Sequence, residues 1–310
     1  MRGFVAPTDH AWYQFLRARP ELTEVNFWRP KPGNFKSLQP GQPFFFKLRS
    51  PHNAIGGFGL FSWFAELPIW RAWDVFGQGN GTQDEHELLI RLSANSVRSP
   101  PSTGLERVIG CIAVTDPVMF APDEWVPTPR DWAPSLQRGR GYDLDRDEGQ
   151  RLWRACLERA ASRRETTDWA LDAADRERTG KPIIRYPRLG QGSFRLAVLG
   201  AYGDQCAVTT EHSLPVLEAA HIRPWRDGGA HEISNGIPLR RDLHRLYDLG
   251  YVTIRPDLTF AVSRSLRDEY ANGRVYYELD GRRVHEPSNP AARPNRELLA
   301  WHEAEVYRSR

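Results

Sequence analysis

The stretch EAAHIRPWRDGGAHEISNGIPLRRDLHRLYDLG, residues 218–250, constrains this chain more than any other segment. The apolar run PVLEAAHI that leads into it reads as a strand carrying His221. Gly228, Gly229 and the Ser234-Asn235-Gly236 signal then place a loop. RDLHRLYDLG reads as a helix, in which His244 and Asp248, four residues apart, share one face. The local order is strand, loop, helix, with His221, Asn235, His244 and Asp248 facing one another across the gap.

Those residue types carry a definite chemistry. A neutral imidazole accepts a proton from water near neutral pH. An imidazole and a carboxylate on one helix face hold a divalent ion that polarises a phosphate. A single histidine on an apolar strand is ordinarily a core residue, so the weight lies on the four positions taken together.

The segment resembles the HNH nuclease motif in its ββα-metal form, through AAHIRPW, the GG pair and SNGIPLRRDLHRLYDLGYVTI. A lead-in, GQGSFRLAVLGAYGDQCAVTTE, is similar to one found in a subgroup of bacterial restriction enzymes, and the likeness covers roughly residues 185–255. The resemblance implies phosphodiester hydrolysis in double-stranded DNA. His221 would be the general base and Asn235 an orienting residue that pins the loop. His244 and Asp248 would hold one divalent ion, Mg²⁺ or Mn²⁺, with Co²⁺ and Ni²⁺ also suited to a mixed imidazole and carboxylate set. Arg223, Arg226, Arg240, Arg241 and Arg245 flank the motif and suit phosphate contacts, or equally an exposed structural role. One position departs from the pattern. Where many such enzymes place a metal-binding Asp or His before the first histidine, this chain has Ala220, and Glu218, two residues earlier on the strand, is a further candidate ligand. A four-cysteine structural zinc site is not expected, because the cysteines are Cys111, Cys156 and Cys206, with no CxxC pair. Cys206 stands where such a pair would begin, with Thr209 at its partner position, and reads as a buried apolar residue.

At 310 residues the chain accommodates two domains. A net charge of +3 permits nucleic-acid binding without demanding it. No run of eighteen apolar residues and no signal-peptide core is visible, so the expected location is cytoplasmic, with no membrane partner.

The N-terminal half is rich in aromatic residues and reads as β structure: VNFW, FKSLQPGQPFFFKL, AIGGFGLFSWF, and RVIGCIAVTDPVMF as a strand pair turning at Asp116-Pro117. LPIWRAWDVFG reads as a helix with Leu67, Trp70, Trp73 and Val75 near one face, and residues 147–178 as a helix joining two domains. Across residues 22–145, NFWRP, the PFFFKL strand, IGGFG and RVIGCIAVTDPVMF are similar to the PUA superfamily, its EVE and ASCH branches above all. That likeness implies a small β-barrel that reads a modified base by aromatic stacking and polar edge contacts. Asn26, Trp28, Arg29, Lys36, Ser37 and Trp63 are the candidate reader residues. Ser50, His52 and Asn53 form a loop able to meet phosphate or nothing.

The expected class is α+β: a PUA-like recognition domain over residues 1–146, a helical linker over 147–180, and an HNH nuclease domain over 181–310. A reader joined to a cutter implies a modification-dependent restriction enzyme for modified cytosine, acting as a homodimer because one site cuts one strand. Two alternatives stand beside it. One is an HNH nuclease of toxin or homing type acting on unmodified DNA. The other is a DNA-binding module with a decayed site.

Overall fold

Every residue of Pro43–Leu48, PFFFKL, is buried. A segment apolar on both faces needs cover on both sides, which makes it an interior strand. The computed structural model describes residues 1–94, 104–133, 135–136, 138–162, 190–230 and 232–309. The chain divides into two units, Met1–Gly192 and Ser193–Arg310.

The first unit contains β1 (Arg2–Thr8), α1 (His10–Arg17), β2 (Glu24–Arg29), β3 (Pro43–Leu48), β4 (Ala54–Pro68), α2 (Ile69–Phe76), α3 (Glu85–Ala94), β5 (Val108–Met119), β6 (Val126–Pro127), β7 (Arg140–Asp143) and α4 (Asp147–Ser162). The strands form one sheet in the order β2-β5-β4-β3-β1-β7, with β6 added to β4. The β1–β3 pair is parallel and the remaining pairs are antiparallel. Phe44, Phe46 and Leu48 join Trp12, Tyr13 and Leu16 of α1 in one core cluster. Phe45 joins Val5, Ile55 and Phe58 with Leu152, Cys156 and Ala160 of α4 in another. The sheet thus takes α1 into one cluster and α4 into the other.

Four expectations change on contact with this structure. The ladders run as an open path from β2 to β7, so the barrel is not closed by pairing of its end strands among the described residues. RVIGCIAVTDPVMF is one continuous strand: Asp116 takes φ +48° and donates its N–H to the Thr23 carbonyl at 2.8 Å. The extra residue is absorbed as an irregularity in the β4–β5 register instead of reversing the chain. On α2 the buried face is Ile69, Ala72 and Phe76, because Leu67 still belongs to β4 and the helical count starts two residues later. The first part of the expected linker is α4, a core helix; the rest of that linker lies outside the described residues.

The second unit contains α5 (Gln191–Ala201, from Ser193 onward), β8 (Leu217–His221), β9 (Gly236–Arg240), α6 (Arg241–Asp248), β10 (Val252–Ile254), β11 (Phe260–Val262), α7 (Ser265–Tyr270), α8 (Arg274–Tyr277) and α9 (Arg296–Glu305). β8 and β9 form an antiparallel pair from Leu217↔Arg240 to His221↔Gly236. Leu217, Ala220, Ile237, Leu239, Leu243 and Tyr247 bury the facing surfaces of this pair and α6 in one core. Cys206 is part of the same core. Its backbone closes a turn, Thr210 N–H to Cys206 O at 2.9 Å and Cys206 N–H to Glu211 O at 2.9 Å. Among the described residues, no helix is long and apolar enough to cross a membrane.

Tyr247, in the last turn of α6, stacks on His302 of α9 with ring centroids 3.6 Å apart. His302 is 2% exposed and hydrogen-bonds Thr253 Oγ1 at 2.9 Å and the Tyr247 carbonyl at 3.2 Å. Burial pushes its pKa down to about 4. A depressed histidine contributes stability that is complete above its ordinary value of 6.5 and is lost as pH falls towards 4. Wild-type protein is expected to lose about 3 kcal/mol more than His302→Phe between pH 6.5 and 4, at about 1.4 kcal/mol per pH unit. Urea unfolding at both pH values reads this; equal losses would refute it.

Candidate functional site

Two sets of side chains are built on β8, β9 and α6. In the first, β8 carries Glu218 and α6 carries His244 and Asp248. His244 Nδ1 lies 2.8 Å from Glu218 Oε2, and His244 Nε2 lies 3.6 Å from Asp248 Oδ2. Arg241 donates to Glu218 Oε1 at 2.7 Å. Burial alone would raise the Glu218 carboxyl, but the donations from His244 and Arg241 outweigh it and hold its pKa below the ordinary value. An ionised Glu218 accepts from Nδ1–H, which selects the tautomer whose Nε2 lone pair faces Asp248. The sequence offered Glu218 as a further metal ligand; the structure places it behind His244, as a hydrogen-bond acceptor.

Among the described residues, no group of three or more His, Cys, Asp and Glu side chains is arranged to enclose a metal ion. The His244–Asp248 pair nevertheless fits a hard divalent ion. An octahedral ion with ligands at about 2.1 Å spaces neighbouring donors about 3 Å apart, and Mg²⁺ keeps several waters beside one or two protein ligands. The 3.6 Å between His244 Nε2 and Asp248 Oδ2 is close to that spacing.

His221 and Asn235 form the second set. The His221 ring stacks on Phe194 of α5, centroids 4.0 Å apart and planes within 8°. Gly236, opposite His221, permits this approach: a Cβ there would meet Val198 Cγ2 at 2.3 Å and Phe194 Cζ at 2.8 Å. Asn235 is 1% exposed. Its Oδ1 accepts from Arg223 N–H at 2.9 Å, and its Nδ2 donates to Arg223 O at 2.9 Å and Ala230 O at 2.8 Å. Its main-chain carbonyl accepts from Ile222 N–H at 2.9 Å. One side chain therefore ties both ends of the loop that follows His221. Gly229 lies inside that loop, where a Cβ would fall 1.8 Å from Arg223 O. Asn235→Ala leaves one N–H and two carbonyls without these partners, and is expected to destabilise the second unit by about 1–3 kcal/mol. Asn235→Asp keeps the acceptor but loses both donations, so its urea midpoint should also fall; a wild-type midpoint for both variants would show that the loop holds itself.

The arginines separate by environment. Arg240 makes a two-pronged pair with Asp242, at 3.0 and 2.5 Å. Arg241 is committed to Glu218, and Arg223 donates to Asp227 O at 2.5 Å while lying over the Trp301 ring at 5.0 Å. Arg226, beside Asp227 at 3.4 Å, and Arg245 are exposed.

The reader candidates do not converge on one place. Asn26 is fully buried and donates to Asn80 Oδ1 at 2.9 Å. Trp28 Nε1 donates to the Asn80 carbonyl at 2.9 Å. Asn80 donates in turn to the Ala72 and Gly77 carbonyls at 3.0 and 2.8 Å. This network fastens β2 to the end of α2. Arg29 caps the Asn34 carbonyl at 3.3 Å. Lys36 is exposed, and Ser37 and Trp63 are half-buried. Sequence reasoning missed Phe194 and Asn80: each acts through a contact made only on folding, and no local spacing announces it.

Residues 206–255 match the HNH endonuclease family model. No curated protein matches the chain. Among solved structures, the ASCH protein of Zymomonas mobilis aligns at 11% identity over 49% of this chain and 94% of its own, TM-score 0.34. A point mutant of it gives 11% identity over 49% and 96%, TM-score 0.33. A modification-dependent restriction endonuclease, TagI, aligns at 14% identity over 87% of this chain and 64% of its own, TM-score 0.29. Likenesses this distant carry no inference about the present chain. The HNH match does: residues 206–255 hold both sets of side chains on the β8–β9–α6 frame, apart from Phe194.

Proposed function

We propose that this protein is a DNA endonuclease that cuts near modified cytosine, with residues 181–310 as the cutting domain and the β1–β7 sheet, with α4 in its core, as the reader. The observation that carries the nuclease reading is the Glu218–His244 hydrogen bond of 2.8 Å, which turns Nε2 towards Asp248 inside the HNH-matched segment. His244 and Asp248 would hold one divalent ion, Mg²⁺ or Mn²⁺. When bound, that ion supplies Lewis-acid polarisation of the scissile phosphate and stabilises charge on the leaving oxygen. Glu218 keeps the His244 ring in one tautomer and one orientation. His221, its plane set by Phe194, takes the proton from the attacking water. Asn235 holds the loop that follows, and exposed Arg226 and Arg245 are placed to meet backbone phosphates.

The reader assignment is supported by the sequence likeness of residues 22–145 to PUA-type domains. The test is digestion of matched duplexes carrying cytosine, 5-methylcytosine, 5-hydroxymethylcytosine or its glucosylated form, in Mg²⁺ and in Mn²⁺, with His221→Ala as control. Cutting confined to modified duplexes is expected. Equal cutting of all four would favour a nuclease for unmodified DNA, and no cutting at all would favour a binding module. One site per chain makes a double-strand break most simply as a homodimer. Light scattering after size exclusion should show a dimer on DNA; a monomer with and without DNA would refute it.

A further inference from the structure

We propose that Lys47, oriented by Asn53 and faced by Trp132, is the group with which the first unit grips an extruded pyrimidine by its carbonyl edge. The inference rests on the reader assignment above and locates the site away from Asn26 and Trp28, whose side-chain nitrogens donate to Asn80.

Lys47 is the one charged residue of the fully buried strand β3 and is itself 6% exposed. Its ammonium has three N–H donors. Among the described residues it meets one side-chain acceptor, Asn53 Oδ1 at 3.0 Å, and no carboxylate. Burial, with Arg49 nearby, pushes its pKa down. A partly buried cation that faces no carboxylate carries a desolvation cost, and a methionine would fill the same space without it. A cation kept on such terms is a candidate for binding.

Its surroundings narrow the ligand. The Trp132 ring lies 5.5 Å from Nζ. Asn53, the residue that orients the ammonium, sits at φ +44°, and its carbonyl accepts from Thr128 Oγ1 at 2.5 Å. The preceding residue, His52, stacks on His10 with centroids 4.1 Å apart and meets Trp125 edge-on at 5.1 Å. The surroundings of the loop between β3 and β4 thus combine aromatic rings with a partly dehydrated cation that has donors to spare. A ligand for it needs an oxygen acceptor and a planar face. A pyrimidine base has both, while a phosphate has only the first, and the exposed Arg49 beside the loop would serve a phosphate without any burial cost.

The experiment measures anisotropy of labelled duplexes with one central cytosine, 5-methylcytosine or 5-hydroxymethylcytosine, binding the full-length protein in EDTA. The readout is the ratio of affinities for modified and unmodified duplex. Lys47→Met should bring the wild-type ratio down by at least about tenfold, the scale of one lost base contact, and should melt no lower than wild type. A ratio kept within about twofold overturns the proposal and leaves the reader assignment standing. A loss falling equally on all duplexes makes Lys47 a backbone contact and also overturns it. A wild-type ratio of one removes the reader assignment and this site together. Should Lys47→Met fail to fold, the same ratio on Trp132→Ala decides, with the same two outcomes.

Discussion

Replacing His221 with alanine is expected to slow DNA cleavage by about 10²–10⁴-fold, the range for removing a general base. The imidazole stacks on Phe194 at 4.0 Å, so its plane is set before substrate arrives and little ordering remains to be done in the transition state. The rate is measured in single turnover at saturating DNA, so that binding does not enter. Two controls separate chemistry from folding. The variant's melting temperature reports on the lost ring stack. The pH–rate profile reports on the base: wild type should gain rate with pH as an imidazole deprotonates, and the variant should lack that limb. A variant within about threefold of wild type, or one that keeps the same acid limb, would remove His221 from the proton transfer.

The second large effect is at Glu218. Its carboxylate accepts from His244 at 2.8 Å and from Arg241 at 2.7 Å. Loss of such a partner behind a metal-binding histidine costs about 10–100-fold in metal affinity or activity. Glu218→Ala should therefore raise the Mn²⁺ concentration for half-maximal cleavage by that factor. Glu218→Gln retains an acceptor for Nδ1–H but removes the charge, so it should fall between alanine and wild type. If both variants titrate like wild type, Glu218 does not support His244. If both lose activity with no change in Mn²⁺ dependence, Glu218 acts on something other than the metal pair.

Some misreadings of the sequence share a cause. RVIGCIAVTDPVMF contains an Asp-Pro pair, a strong local turn signal, yet β5 passes through it because β4 and β2 pair on either side and Asp116 takes up the irregularity. The helix at 147–162 reads as amphipathic and therefore as a connector; its apolar stripe is a core face against Val5, Phe45 and Ile55. In both, the local pattern is present in the chain, and long-range pairing decides its use. The same holds for Asn26 and Trp28, whose residue types suit a base edge but whose side-chain nitrogens donate to Asn80, more than fifty positions away.

What the sequence determined by itself was the local chemistry of residues 218–250. The i,i+4 spacing of His244 and Asp248 puts both on one helix face whatever the rest of the chain does, because helical periodicity is a property of the backbone. The Gly228-Gly229 pair and Asn235 likewise declare a tight loop through their own conformational and hydrogen-bonding capacities. What only the tertiary structure decided was which group stands behind each of these: Glu218 behind His244, Phe194 under His221, His302 against Tyr247, and Asn53 on Lys47. Apart from the last, these pairs join elements far apart in sequence. All form by burial and by the need to satisfy polar atoms taken out of water, and no spacing rule encodes that requirement.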